Sequence, residues 1–179
     1  MTKNEVIVLA GGCFWCTEAV FNRLRGVVEV QSGYANGHQP QPTYEQVCTG
    51  STGHAEAVRL VFDPALISLR EVLEIFFASH DPTTLNRQGN DVGTQYRSGI
   101  YWSEPQQRDV AEQLLCQIGQ DKLFGVPVVT ELQPLTSFWP AEAYHRDYYA
   151  HHPEQGYCAM VIAPKLDKFR KTFARYLKD

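Results

Sequence analysis

The chain has 179 residues, 44% of them apolar and 20% charged, with a formal net charge of −4. That size and apolar share suit one globular domain with a sizeable core, spanning residues 1–179. The acidic balance argues against broad binding to nucleic acid or to an anionic membrane. Five cysteines, odd in number and irregular in spacing, fit a disulfide framework poorly and a reducing cytoplasm well.

In chain order, the short apolar run Val6–Ala10 predicts a buried strand that Gly11 and Gly12 cut off. The run is too short for a secretory leader or a membrane span. Apolar residues at Phe14, Val20, Phe21 and Leu24 have helical spacing. They predict a helix from Cys13 to Leu24. Val27–Gln31 alternates as a strand, and the glycines and prolines of 32–42 predict a loop. Thr43 is a candidate cap for a short helix through Cys48. Ala55–Phe62 alternates as a strand, and Ser68 with Glu71 forms a capping-box pattern that opens a helix ending near Ser79.

Residues 81–93 are polar and glycine-bearing, a long loop of the kind that carries function. A strand at Tyr96–Trp102, a helix from Pro105 to about Lys122 and a strand at Val126–Leu132 follow. An aromatic helix over Ala141–His151, a turn at Pro153 and a final helix from Pro164 complete the prediction. The basic stretch Lys165–Lys178 reads as a solvated helix face. Strands and helices mix without a strict βαβ rhythm, so the expected class is α+β with a mixed sheet and flanking helices.

The chemistry gathers at Gly11-Gly-Cys-Phe-Trp-Cys16. Cys13 stands where a strand passes through glycines into a helix. The positive helix end there would favour its thiolate. Three chemistries compete. In a general thiol–disulfide oxidoreductase, Cys13 and Cys16 form the redox pair, but the nearby acids and tyrosines find no use. A zinc deaminase would use His54-Ala-Glu56, yet the motif order is reversed and Gly12 stands where a proline belongs.

The third chemistry is a cysteine nucleophile assisted by a separate acid. Glu56 lies between Ala55 and Ala57 at the head of an apolar strand, where desolvation would keep its carboxyl protonated. A thiolate beside a protonated carboxyl suits reduction of an oxygenated sulfur, with Phe14 and Trp15 as an apolar wall for a methyl-bearing substrate. Cys48 and Cys116 are expected to be buried small hydrophobes, and His54 and His80 hydrogen-bonded structural groups. No metal site is expected, because His151 and His152 lack acidic or thiol partners at ligand spacing. The aromatics of residues 138–149 are expected mostly to pack, leaving one member free to rim the pocket.

Five segments, in order, resemble the peptide methionine sulfoxide reductases, A type: Gly12-Cys-Phe-Trp15, Thr43-Tyr-Glu-Gln-Val-Cys-Thr-Gly50, Gly53-His-Ala-Glu-Ala57, Gln88-Gly-Asn-Asp-Val-Gly-Thr-Gln-Tyr-Arg-Ser98 and His145-Arg-Asp-Tyr-Tyr149. The resemblance implies a ferredoxin-like core with an irregular C-terminal segment over about 150–179. It also implies reduction of the S epimer of methionine sulfoxide, free or in proteins, without a bound cofactor. By position, Cys13 is the implied attacking thiolate and Glu56 the acid, with Tyr44 and Tyr96 binding the sulfoxide oxygen. Asp91 is an implied substrate-orienting residue, and Phe14 with Trp15 the cage for the methyl group. Attack would leave a sulfenic acid on Cys13, which a second thiol condenses to a disulfide. Cys158, on a segment that Gly156 could let swing, and Cys16, one helical turn away, both remain open as that resolving thiol. Thioredoxin is the implied external reductant, and a monomer suffices.

Overall fold

The computed structural model describes residues 3–178; residues 1, 2 and 179, part of the expected domain range, lie outside them. Strand β1 (Glu5–Gly11) leads into helix α1 (Phe14–Phe21), strand β2 (Val27–Ala35), the short helix α2 (Tyr44–Cys48), strand β3 (Ala55–Phe62) and helix α3 (Leu69–Ser79). A small hairpin of β4 (Arg87–Gln88) and β5 (Asp91–Val92) precedes a 3₁₀ turn at Thr94–Tyr96. Strand β6 (Ser98–Trp102), helix α4 (Pro105–Asp121) and strands β7 (Glu131–Pro134) and β8 (Phe138–Pro140) follow. The remainder holds a 3₁₀ turn (Ala143–His145), the single turn α5 (Tyr148–His151), a π-helical stretch (Cys158–Ile162) and helix α6 (Ala163–Thr172).

One six-stranded sheet has the order β7-β6-β1-β3-β2-β8. Its four central strands pair antiparallel as β6-β1-β3-β2, with α1 and α3 as the two crossovers. This is the ferredoxin-like core that the resemblance implies. At the ends, β7 joins β6 in parallel and β8 joins β2 antiparallel, so the sheet is mixed.

The strand period of two divides the apolar residues between the faces. Ile7 and Leu9 belong to the large core under α1 and α3, whereas Val8 and Ala10 pack with Ala35, Ala55, Ala57 and Tyr101 on the other side. On β3, Val58, Leu60 and Phe62 join the large core. Glu56 shares their parity and so points under the helices. Its burial follows from register. Local signals also act as the sequence predicts: both Thr43 and Ser68 form complete capping boxes, each accepting the backbone N–H three residues on.

Several boundaries depart from the sequence prediction. Strand β2 continues through Ala35 instead of giving way to loop, because Gly33 lets β8 approach. A Cβ there would lie 2.6 Å from the Trp139 carbonyl oxygen. The expected helix over Ala141–His151 is broken, since Asp147 adopts a left-handed conformation (φ 51°) that no helix holds. Its aromatic forerunner Phe138–Pro140 is instead an edge strand. The last predicted strand begins at Glu131, after the Val129 N–H is taken by the Pro82 carbonyl. Cys48 and Cys116 are exposed, not buried: α2 covers the core only through Val47, and Cys116 lies off the buried stripe Ala111, Leu114, Ile118 of α4.

Gly12 makes the turn from β1 into α1. Its φ is +92°, and a Cβ would come within 2.6 Å of the Gln88 side chain. That side chain cannot retreat, because it bonds both the N–H and the carbonyl of Asp81. Gly12→Ala is therefore expected to destabilise the fold by about 2 kcal/mol, strain and clash together. Thermal melting should show a loss of roughly 4–8 °C.

Candidate active site

Cys13 is the N-cap residue of α1, 8% exposed, and Glu56 reaches the same point from β3 with 1% exposure. The Phe14 N–H donates to Glu56 Oε1 at 3.1 Å, while Oε2 is buried with no partner. Desolvation lifts the Glu56 carboxyl to about 8, against the pull of that N–H, so it holds a proton at neutral pH. The free oxygen of a protonated carboxyl is a donor available to whatever enters beside it.

The thiols behave otherwise than the sequence suggests. Burial, the hydrogen bond to Cys16 and the Glu56 carboxyl push Cys13 well above the usual thiol range; the Trp15 N–H alone pulls it down. A helix end is worth only about 0.3–1 kcal/mol at exposed sites. Burying a charge costs more, so burial opposes the thiolate that the helix end favours at Cys13. Cys16, the neighbouring thiol, is brought down to about 7, chiefly by the hydrogen bond from Cys13, with help from Lys165 and the Tyr157 hydroxyl against desolvation.

Phe14 is fully buried, with its ring 5.8 Å from Tyr34, 6.2 Å from Tyr44 and 5.0 Å from His145. The half-buried Trp15 indole stacks on Tyr148 at 3.8 Å and meets the edge of Tyr157. Its Nε1–H donates to His145 Nδ1 at 3.0 Å, which leaves the proton of the neutral imidazole on Nε2. Burial lowers the His145 pKa and keeps the ring neutral. Tyr44 and Tyr96 are both raised by desolvation and by the nearby Glu56 and Cys13, so both phenols belong to this cluster. Asp91 accepts from the Tyr157 hydroxyl at 2.7 Å, and that hydroxyl lies 3.8 Å from Cys16 Sγ. Cys13, Glu56, Phe14, Trp15 and Tyr44 thus gather here, and Asp91 reaches Cys16 through Tyr157. Cys158 is fully buried in the same core and feels the charge of Cys16.

A family model described as peptide methionine sulfoxide reductase matches residues 5–177. The chain belongs to the peptide methionine sulfoxide reductase family. Peptide methionine sulfoxide reductase MsrA of Saccharolobus solfataricus is 56% identical over 174 residues, 97% of each chain. Among solved structures, Mxr1 of Saccharomyces cerevisiae in reduced form is 36% identical with a TM-score of 0.77, covering 87% of this chain and 90% of that one. Mxr1 in complex with Trx2 is 26% identical at a TM-score of 0.54, covering 82% and 85%. As a member of the peptide methionine sulfoxide reductases, the protein is an oxidoreductase.

The sequence assigned no role to three groups of this reductase site. Tyr157 was passed over as a neighbour of Cys158, although a phenol beside a candidate thiol is itself a signal. His145 and Glu142 stand in a stretch predicted as plain helix, where aromatic packing masked them. His54 and His80 are structural as expected: His54 Nδ1 accepts from the Gly37 N–H, and His80 bonds the Phe76 carbonyl and Ser98. Among the described residues no group of three metal-ligating side chains occurs, and no helix is long and apolar enough to cross a membrane.

Glu56 leaves a signature in stability. Between its ordinary value of 4.5 and about 8, the unfolded chain ionises this carboxyl while the folded site keeps it protonated. Stability from this group therefore falls as pH rises through that window and levels off above it. The melting temperature of Glu56→Gln minus that of the wild type should rise from pH 5 to about pH 8 and then stay flat. A difference independent of pH would show that the carboxyl is ionised in the fold.

Proposed function

We propose that the protein reduces the S epimer of methionine sulfoxide, free or in proteins, as one catalytic unit with Cys13 as nucleophile and Glu56 as general acid. The observation that carries this is the buried Glu56 carboxyl, protonated and half-unpartnered, bonded to the helix start that bears Cys13. The substrate methyl group lies against Phe14 and Trp15. Asp91, held by Tyr157, orients the rest of the methionine.

In the reaction Cys13 passes its proton along the hydrogen bond to Cys16, and its sulfur attacks the sulfoxide sulfur. Glu56 and the Tyr44 and Tyr96 phenols donate to the oxygen as the S–O bond lengthens. The oxygen leaves as water, which then attacks Cys13 Sγ; the bond between the two sulfurs breaks, Cys13 becomes a sulfenic acid, and methionine leaves reduced by two electrons. A second thiol then displaces water to form a disulfide.

Cys16, one helical turn from the N-cap Cys13 and brought down to about 7, is the first resolving thiol. Cys158, near enough to feel the Cys16 charge, takes the bond over by exchange. Thioredoxin is the external reductant, supported by the Mxr1 complex with Trx2. A monomer in the cytoplasm fits the free, exposed thiols of Cys48 and Cys116.

Single-turnover assays with separated R and S sulfoxides test the chemistry. The wild type should reduce only the S epimer, with activity declining as pH rises through about 8, where Glu56 loses its proton. Glu56→Gln should slow the step by about 10²–10³-fold. Full activity in that variant would favour a general thiol–disulfide oxidoreductase, which needs no acid there.

Peptide mapping after turnover without reductant tests the order of thiols. A Cys158→Ser variant should still accumulate a Cys13–Cys16 disulfide. If Cys13 instead stays as sulfenic acid, Cys158 resolves it directly.

A further inference from the structure

We propose that Glu142 is a positioning residue for catalysis, fixing Tyr44 at the active site through the first turn of α2 and through Tyr34 behind Phe14. The proposal rests on the catalytic role given to Tyr44 above. Glu142 Oε2 accepts the Tyr44 N–H at 2.9 Å, and Oε1 accepts the Tyr34 hydroxyl at 2.7 Å. One carboxylate, on the segment after β8, thus joins β2 and α2 from about a hundred residues away in sequence. Although half-buried, it stays below its ordinary carboxyl range, because the Tyr34 hydroxyl and the Tyr44 N–H outweigh desolvation.

Helix α2 needs such an anchor. It has five residues and follows a polar connection, and a helix that short does not hold itself together. Its capping box fixes Thr43 and Gln46 to each other but ties neither to the site. Tyr44 must nevertheless keep its ring 4.5 Å from His145 and its hydroxyl near Glu56 and Cys13. The second arm of Glu142 ends on Tyr34, a fully buried residue registered opposite Glu56 across the β2–β3 ladder. Glu142 therefore ties Tyr44 to the strand pair that carries the acid. Only an ionised carboxylate can accept from both donors with separate oxygens. An amide offers one acceptor and turns its NH₂ toward the other donor.

A double-mutant cycle in single-turnover assays tests this. Glu142→Gln should lower kcat about 10-fold with KM changed less than about twofold, as expected for a displaced transition-state donor. Tyr44→Phe should also be slow, and Glu142→Gln/Tyr44→Phe no slower than Tyr44→Phe within about twofold, since both changes remove the same contribution. Additive losses on a slow Tyr44→Phe background, or a lowered melting temperature with unchanged kcat, overturn the positioning role alone. Tyr44→Phe at the wild-type rate overturns the catalytic role of Tyr44 and the proposal with it. If Glu142→Gln does not fold, Tyr34→Phe, which unties one arm, replaces it in the same cycle and is read by the same two outcomes.

Discussion

The site depends on one hydrogen bond, from the Phe14 amide at the head of α1 to the Glu56 carboxyl on β3. It joins the helix capped by Cys13 to the strand that carries Glu56. It satisfies one oxygen of a group otherwise stripped of water and leaves the other free. Strand parity puts Glu56 on the face covered by helices, and the left-handed turn at Gly12 brings α1 down onto it. Without either constraint the carboxyl would reach solvent, lose its proton and become an ordinary surface acid.

The same burial decides where negative charge rests. Cys13 and Cys16 stand one turn apart on one short helix, yet their protons are held very differently. Desolvation governs the first, whereas the second gains a hydrogen bond, a lysine and a phenol. Burial thus holds the proton on Cys13 more tightly than on its neighbour. Around them stands a wall of aromatic rings, Trp15 on Tyr148 and Phe14 against Tyr34 and His145.

What could be read from sequence follows from how local each signal is. Capping boxes at Thr43 and Ser68, the alternation of β3 and the Gly-Gly entry to Cys13 are written within a few residues, and all are legible. The burial of Glu56 was foreseen from its alanine neighbours. The edge strand β8, the break at Asp147 and the anchoring by Glu142 depend on partners about a hundred residues away and have no local mark. The balance at Cys13 is only half legible: a helix end that favours a thiolate is visible in sequence, whereas the depth of burial that opposes it is a property of the whole fold. Cys48 and Cys116 were misplaced because a short apolar neighbourhood does not reveal which face of a helix is covered.

The bond from Trp15 to His145 spans 130 positions and the contact from Cys16 to Tyr157 spans 141, so the pocket is closed by the two ends of the chain. During synthesis the cysteine pair leaves the ribosome on the order of ten seconds before those partners, at 5–20 residues per second. Over that interval both sulfurs are bare to the surrounding solution. The newborn chain therefore meets cellular oxidants before it has the walls that later confine them.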